Sequence, residues 1–330
     1  MMVKNQSRFA KKDLGQNFLT SVEFRDQILA QAGDIAGKNI LEVGPGLGFL
    51  TEGLLQAGAK LTAVELDTRV IPILTEKFAK YIQTDAEKSP SFTLVEGSIL
   101  HEDLDKRFEQ ENYSVIANIP YHITSPIIRK LLSETKNKPK ETILMVQKEV
   151  AQKINPKIKK GRQKRSILSV SVEIFATSEL CFVVGKEHFD PSPKVDSAII
   201  KIITRETPLV SPEMEKDFFV VVNAGFHEKR KKLGNSIGKY FGVSPKLLMG
   251  NVDGNLRAEE LKIEDWIEIT ITEGKNRQVR KMFEKIGFSV VKLKRVSIGE
   301  LKLTTLKSGE YRPLTTKDLE KLFAKPKKKK

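Results

Sequence analysis

Short apolar runs alternate with longer amphipathic stretches from about residue 26 to residue 205. The short runs are rich in Val, Ile and Leu, as in buried strands, whereas the longer stretches have the three-to-four-residue period of helices. The predicted strands are NILEVG, AKLTAVEL, FTLVEG, YSVIANI, TILMVQ and SELCFVV, and the predicted helices include FLTEGLLQAG, RVIPILTEKFAKYI and SPIIRKLLSE. This alternation predicts an α/β fold with helices on both faces of a mostly parallel sheet. The run KVDSAIIKIITRE predicts a late strand that joins the sheet in the antiparallel direction.

The pattern changes twice in the second half of the chain. Strand patterns stop after residue 205, and residues 206–268 predict a small helical domain that includes a helix over KRKKLGNSIGKYFG. Residues 269–324 combine one amphipathic helix with short strands of alternating apolar and basic residues, which predicts an α+β appendage. The final residues, 325–330, read KPKKKK and are expected to be disordered. The predicted domains are therefore residues 1–205, 206–268 and 269–324.

Charge and composition restrict the possible function classes. Lys and Arg number 57 against 42 Asp and Glu, which leaves a net charge of +15. This excess favours a polyanionic partner, most often nucleic acid, although a solubilising surface would have the same composition. The chain has no apolar run near the ~20 residues of a membrane span and no signal sequence, so we expect a cytoplasmic protein. The four histidines do not cluster with the single cysteine, Cys181, at metal-ligand spacing, so no metal site is expected.

A glycine-rich turn follows the first of these predicted strands, in LEVGPGLGFLT. Gly44, Gly46 and Gly48 let the backbone turn sharply and approach a ligand, and the next helix offers free N–H groups. About twenty residues later, Glu65 ends a strand at a position where a carboxylate can accept both hydroxyls of a ribose. Dinucleotide enzymes place the third glycine one position later, and Glu42 would repel a pyrophosphate. The motif therefore favours S-adenosylmethionine, which is cationic; an ordinary strand-to-helix turn is the alternative.

A second motif, NIPY, follows another predicted strand, at the sheet edge where α/β proteins bind ligands. The amino nitrogen of adenine is a weak nucleophile, because its lone pair is delocalised into the ring, and it needs acceptors for its two protons. The Asn118 side chain and the carbonyl of Ile119 or Pro120 could accept them, while Tyr121 stacks on the base. Methyl transfer then needs alignment rather than a strong base. A structural Asn-x-Pro turn with a buried tyrosine would show the same pattern.

These motifs resemble those of the ribosomal RNA adenine dimethyltransferases, which modify two adjacent adenines of small-subunit rRNA. The resemblance covers residues 8–268 and includes DLGQNFL, AVELD, HFDPSPKVDSAII and RAEELKIEDWIEI as well as the two motifs above. It implies a Rossmann-like S-adenosylmethionine methyltransferase domain followed by a helical rRNA-binding domain. It further implies a monomer that acts on the immature 30S particle during ribosome assembly.

The resemblance implies a set of cofactor-binding residues. Asn17 and Leu19 would line the pocket, Gly44 would contact the methionine part, and Glu65 would bind the ribose. The family usually has Asp where this chain has Ser98, which would accept a hydrogen bond from the cofactor's adenine. Because a charge-assisted hydrogen bond is roughly twice as strong as a neutral one, we expect weaker cofactor binding rather than loss of activity.

The resemblance also implies how the target base is held. Asn118, which would also bind the cofactor, would hold the target amino group, and Pro120 would fix the turn. Tyr121 and Phe189 would sandwich the base, since a base that leaves its stack needs replacement stacking partners.

Two basic segments are candidate RNA contacts. The first lies in HEKRKKLGNS of the predicted helical domain and comprises Lys229, Arg230, Lys231 and Lys232; a solvated face is the alternative. The second lies in a C-terminal segment that resembles the end of the ribosomal small-subunit-type pseudouridine synthases, and it comprises Arg277, Arg280 and Lys281. The segment lacks the Gly-Arg-Leu-Asp-like sequence that carries that family's catalytic aspartate, so it should not isomerise uridine. It would add phosphate contacts, or it is a relic of gene fusion.

Two other functions compete with small-subunit dimethylation. The large-subunit rRNA adenine methyltransferases of macrolide resistance share the cofactor and NIPY motifs, but they would not be expected to match RAEELKIEDWIEI so well. A non-catalytic assembly factor that binds pre-ribosomes is the second, with Ser98 marking decayed cofactor binding.

Overall fold

A computed structural model of the 330-residue chain describes residues 9–11, 14–82, 91–109, 111–156, 164–242, 252–267, 297–298, 301–302, 313 and 315–318. The chain divides into two compact units, residues 1–270 and 271–330. In the described ranges, no helix is both long enough and apolar enough to cross a bilayer.

Seven of the nine β-strands described in the first unit have about the lengths that the apolar runs predict, and two strands of two residues each were not predicted. The strands are β1 (Phe18–Leu19), β2 (Asn39–Val43), β3 (Lys60–Glu65), β4 (Phe92–Glu96), β5 (Tyr113–Asn118), β6 (Glu141–Gln147), β7 (Ala176–Val184), β8 (Phe189–Asp190) and β9 (Ser197–Thr204). Seven of them form one sheet in the order β4-β3-β2-β5-β6-β9-β7, and β1 pairs with β8. The five strands from β4 to β6 are parallel, and β9 runs antiparallel between β6 and β7. The predicted α/β class and the antiparallel late strand are confirmed.

Helices connect these strands and form the end of the unit. They are α1 (Val22–Ala32), α2 (Phe49–Gln56), α3 (Ile71–Lys77), α4 (Ala79–Ile82), α5 (Leu104–Phe108), α6 (Thr124–Arg129), α7 (Lys148–Ile154), α8 (Ile167–Glu173), α9 (Pro212–Phe226), α10 (Leu233–Phe241) and α11 (Ile263–Ile267). Ser21 caps α1 by accepting a hydrogen bond from the Phe24 N–H, and one turn of π-helix over Lys130–Glu134 follows α6. The single helix predicted over RVIPILTEKFAKYI is divided into α3 and α4 at Phe78.

The central strands are apolar on both faces because helices cover both sides of a parallel sheet. Ile40 and Leu41 on β2 and Val115 and Ile116 on β5 have no solvent exposure. The strand order reverses between β2 and β5, since β3 and β4 lie on one side and β6 on the other. Such a reversal opens a crevice at the carboxyl ends of the strands, and both predicted motifs follow strands that border it.

The helical part of the first unit packs around Trp266, which is 2% exposed and stacks on Phe226 of α9. The helix predicted over KRKKLGNSIGKYFG is wrong in its first turn, because α10 begins at Leu233 and the basic residues before it form a turn. The Arg165 side chain is only 9% exposed; it pairs with Glu173 and donates to the Leu261 carbonyl. The predicted boundary at residue 205 falls within this unit and stays a prediction.

The second unit is described only in part. Two short strands, β10 (Ser297–Ile298) and β11 (Leu301–Lys302), pair in the antiparallel direction. The helix predicted around Arg277, Arg280 and Lys281 lies outside the described residues, as does the lysine tail.

Candidate active site

A cavity of about 250 Å³ lies at the crevice between β2 and β5. Five segments of the chain contribute most of its wall. Four lie at the carboxyl ends of β2, β3, β4 and β5, and the fifth is the N-terminal segment, residues 14–19. Among the predicted site residues, those that line the cavity are Asn17, Leu19, Gly44, Glu65, Ser98, Asn118, Pro120 and Tyr121. The structure therefore places both motifs and the N-terminal segment around one space, while the roles of the individual residues stay predictions.

The glycine loop wraps closely around its neighbours. Gly46 has φ +54°, and a Cβ atom there would lie 2.8 Å from the Phe18 ring, so a side chain meets both strain and a clash. The Gly46 N–H donates to Glu65 Oε2 at 3.0 Å, and the Gly44 N–H donates to the Val64 carbonyl at 2.9 Å. The loop is thus fixed to the end of β3.

Glu65 is held in place by main-chain donors. Its carboxylate is 4% exposed and also accepts a hydrogen bond from the Asp67 N–H, 2.7 Å from Oε1. Burial raises the pKa of Glu65, and the N–H groups of Asp67 and Gly46 oppose that rise. Two fixed N–H donors orient the carboxylate at the position where the sequence predicts a ribose contact.

Glu42 differs from its expected charge state. Its carboxyl is 1% exposed, and the Thr51 hydroxyl donates to Oε2 at 2.7 Å. Burial raises the pKa of Glu42 from 4.5 to about 8, with the Thr51 hydrogen bond acting in the opposite direction. The sequence predicts a negative charge beside the glycine loop, but the carboxyl is neutral at pH 7 in the ligand-free protein. A cationic ligand in the cavity would favour its ionisation.

The NIPY turn is fixed by two side-chain hydrogen bonds. Asn118 Nδ2 donates to the Asn17 carbonyl at 3.2 Å, so the amide group is oriented by the N-terminal segment. Within the described chain Asn118 Oδ1 accepts no hydrogen bond, and it remains an acceptor at the cavity. The Tyr121 hydroxyl lies 2.6 Å from Ser197 Oγ on β9, and burial raises the pKa of Tyr121. The phenol is therefore neutral, and its ring is fixed at its far end.

Ser98 lies in the loop after β4 and lines the cavity. Its hydroxyl accepts a hydrogen bond from the Leu100 N–H at 3.3 Å, which stabilises the turn. A second lone pair and the hydroxyl proton stay available for a ligand.

Phe189 does not line this cavity. It lies on β8, is 5% exposed and is paired with Leu19 of β1, so it belongs to the hydrophobic core in the ligand-free protein. The predicted sandwich of a base between Phe189 and Tyr121 is therefore not assembled here, and it stays a prediction.

The basic cluster of the helical part is exposed. Lys229, Arg230, Lys231 and Lys232 lie in the turn between α9 and α10. Lys232 donates to Asn255 Oδ1, and the other three make no ion pair with any described residue. Four cations on one solvent-exposed turn can reach a polyanion without first breaking a salt bridge.

Sequence reasoning missed several residues that shape the site. Asp67 and Arg69 form an ion pair after β3, Gln16 donates to Asp67, and Ser197 holds Tyr121. Asp67 and Gln16 lie inside the quoted motifs AVELD and DLGQNFL, so position within a motif was the available signal. Within the described ranges, no three His, Cys, Asp or Glu side chains are grouped so that they could hold a metal ion.

Comparison with known proteins agrees with this geometry. The family model described as "Ribosomal RNA adenine dimethylase" matches residues 8–273. The ribosomal RNA small subunit methyltransferase A of Dehalococcoides mccartyi is 37% identical, over 82% of this chain and 90% of its own length. A dimethyladenosine transferase structure from Plasmodium falciparum has a TM-score of 0.60 at 23% identity, covering 82% of this chain and 99% of that one. The 23S rRNA methyltransferase ErmE has a TM-score of 0.59 at 25% identity, covering 76% and 97%. The chain belongs to the ribosomal RNA adenine dimethylase family.

Proposed function

We propose that this protein transfers methyl groups from S-adenosylmethionine to the exocyclic amino groups of two adjacent adenines in small-subunit rRNA, on the immature 30S particle in the cytoplasm. One observation carries the proposal: the glycine loop, Glu65 and the NIPY turn face a single cavity at the switch point of the sheet. Family membership and the small-subunit relative support the choice of substrate.

The residues of the cavity fit the cofactor. Glu65 supplies a buried carboxylate for the ribose hydroxyls, and Gly44 presents backbone without a side chain to the methionine part. Asn17 and Leu19 supply the facing wall, and Ser98 supplies a hydroxyl for the adenine. When bound, the cofactor supplies an electrophilic methyl group on a sulfonium.

The NIPY turn prepares the acceptor. Asn118 Oδ1 accepts a hydrogen bond from one N–H of the amino group, and the carbonyl of Ile119 or Pro120 accepts a hydrogen bond from the other. This arrangement favours a tetrahedral nitrogen whose lone pair points into the cavity. The face of the Tyr121 ring stacks on the base, and the hydrogen bond between the Tyr121 hydroxyl and Ser197 fixes the orientation of that ring. Alignment is the main contribution of these residues, because no charged base is needed.

The exposed turn of residues 229–232 grips rRNA phosphates in this proposal, and Arg277, Arg280 and Lys281 of the pseudouridine-synthase-like segment add further contacts. Deleting residues 270–330 should weaken rRNA binding and lower its logarithmic salt slope by about 0.7 to 0.9 per lost phosphate contact. Unchanged affinity and slope would identify the segment as a relic.

Labelled methyl transfer tests the proposal. The full chain is incubated with labelled S-adenosylmethionine and either immature small subunits or large subunits, and primer extension then locates the modified bases. We expect label at two adjacent adenines of small-subunit rRNA. Label in large-subunit rRNA would assign the macrolide-resistance activity, and binding without transfer would assign a non-catalytic assembly factor.

A further inference from the structure

The N-terminal wall of the cavity is attached at its two ends in different ways. Residues 14–19 all line the cavity. At the far end β1 pairs with β8, and the Thr20 N–H and hydroxyl both donate to the His188 carbonyl, at 2.9 and 3.0 Å. Before Phe18 the described residues form no strand pairing, and side-chain hydrogen bonds attach that end: Asn118 donates to the Asn17 carbonyl, and further contacts come from the segment after β3.

One part of this attachment is a group of three side chains and one carbonyl, the Asp67 latch. The latch comprises Gln16, Asp67, Arg69 and the Phe9 carbonyl. Gln16 Nε2 donates to Asp67 Oδ2 at 3.1 Å, and Gln16 Oε1 accepts the Lys11 N–H at 2.9 Å. Arg69 Nε donates to Asp67 Oδ1 at 2.9 Å, and Arg69 Nη2 also donates to the Phe9 carbonyl at 3.0 Å. The latch therefore binds the N-terminal segment at two separate places.

Asp67 is both buried and ionised. Its carboxylate is 3% exposed, and the Arg69 hydrogen bonds lower its pKa to about 2, so it stays ionised. A buried carboxylate that loses its cation is left with an uncompensated charge, so Asp67 and Arg69 act as a unit.

The latch also reaches both ligand-facing groups. The Asp67 N–H donates to Glu65 Oε1, the predicted ribose contact. Gln16 immediately precedes Asn17, whose carbonyl accepts Asn118 Nδ2. Neither Asp67 nor Arg69 lines the cavity.

We propose that Asp67 and Arg69 are positioning residues that hold the N-terminal wall against the cofactor cavity and so determine how tightly S-adenosylmethionine is retained. This rests on the proposed function, since it takes the cavity to be the cofactor site. The latch keeps the wall around Gln16 ordered before the cofactor binds. Without Arg69 this wall would have to become ordered on binding, and the entropy lost would weaken the binding of S-adenosylmethionine.

Calorimetry with S-adenosylmethionine and hydrogen exchange on the ligand-free full chain test the inference. Arg69→Ala should raise the cofactor Kd about tenfold, equivalent to about 1.4 kcal/mol, and should speed exchange at residues 14–17. In steady state the KM for the cofactor should rise while the KM for rRNA is unchanged. Arg69→Lys, which keeps the charge next to Asp67, should restore part of the affinity. Lys153→Ala removes an exposed ion pair on α7 and should change neither measurement.

Asp67→Asn is the second variant, because it removes the charge and keeps the side-chain shape; it should act in the same direction as Arg69→Ala. Unchanged Kd or unchanged exchange in folded Arg69→Ala or Asp67→Asn overturns the inference and leaves the proposed function standing. If the unsubstituted chain does not bind S-adenosylmethionine, the proposed function fails, and the inference fails with it.

Discussion

The buried carboxyl of Glu42 should make the protein less stable as pH rises, and Glu42→Gln should remove that dependence. Its pKa is raised from 4.5 to about 8 by burial. Between these pH values the folded chain keeps a proton that the unfolded chain has lost, so stability is full below pH 4.5 and falls as pH rises toward 8. Glutamine is a matched replacement, because it cannot ionise and its carbonyl can still accept the Thr51 hydroxyl.

The size of the effect follows from the pKa. One pH unit in this interval costs about 1.4 kcal/mol of unfolding free energy, and the full interval costs about 5 kcal/mol. Protonation of groups that do not interact with Glu42 cancels when the two proteins are subtracted, whereas Glu65, whose charge helps to raise the pKa of Glu42, contributes to the difference.

Urea unfolding followed by circular dichroism measures this difference. The unfolding free energy of the unsubstituted protein minus that of the variant should fall by about 3–4 kcal/mol between pH 5 and pH 8 and level off about one pH unit higher. A difference that does not change with pH would refute a neutral buried Glu42. A difference that rises with pH would mean that the folded state favours the ionised carboxylate.

Three further predictions follow from the site geometry. Gly46→Ala should lose more stability than Gly37→Ala, since both have positive φ, worth about 1–2 kcal/mol, but only Gly46 would clash with the Phe18 ring; equal losses in chemical denaturation would exclude the clash. Ser98→Asp should tighten cofactor binding by about 1 kcal/mol in calorimetry, and no gain would count against its assignment to the cofactor's adenine. Tyr121→Phe and Ser197→Ala should each lower kcat, and the double mutant should be no slower than either single mutant. Additive losses would mean that the hydrogen bond between the two side chains does not orient the ring.

The large sheet could be predicted because each of its strands carries a local pattern. β2 and β5 are continuous apolar runs, and the glycine-rich sequence after β2 predicts a strand-to-helix turn. The place of β9 between β6 and β7 could not be predicted, because periodicity says where a strand is and not which strand it pairs with. The turn over residues 229–232 was missed because lysine suits a helix by propensity, whereas packing begins α10 at Leu233.

The site could be predicted as far as single motifs reach. Glu65, Asn118 and Ser98 meet at the cavity because each lies at, or just after, the carboxyl end of a parallel strand. The Asp67 latch could not be predicted, because it consists of contacts between residues far apart in the sequence, such as Gln16 and Asp67. The neutral state of Glu42 required knowledge of its burial, which composition does not contain. The burial of Phe189 depends on the pairing of β1 with β8, two-residue strands that leave no periodic signal.

The central claim is that Asn118 aligns the target amino group in the cofactor cavity. Methyl transfer into immature small subunits by Asn118→Ala tests it most directly. The control is Asn39→Ala at the start of β2, which lies at the opposite edge of the sheet from the cavity. We expect kcat to fall by at least a hundredfold, roughly the loss of one aligned transition-state contact, for Asn118→Ala alone, with cofactor affinity changed much less. Near-normal turnover by Asn118→Ala would contradict the account.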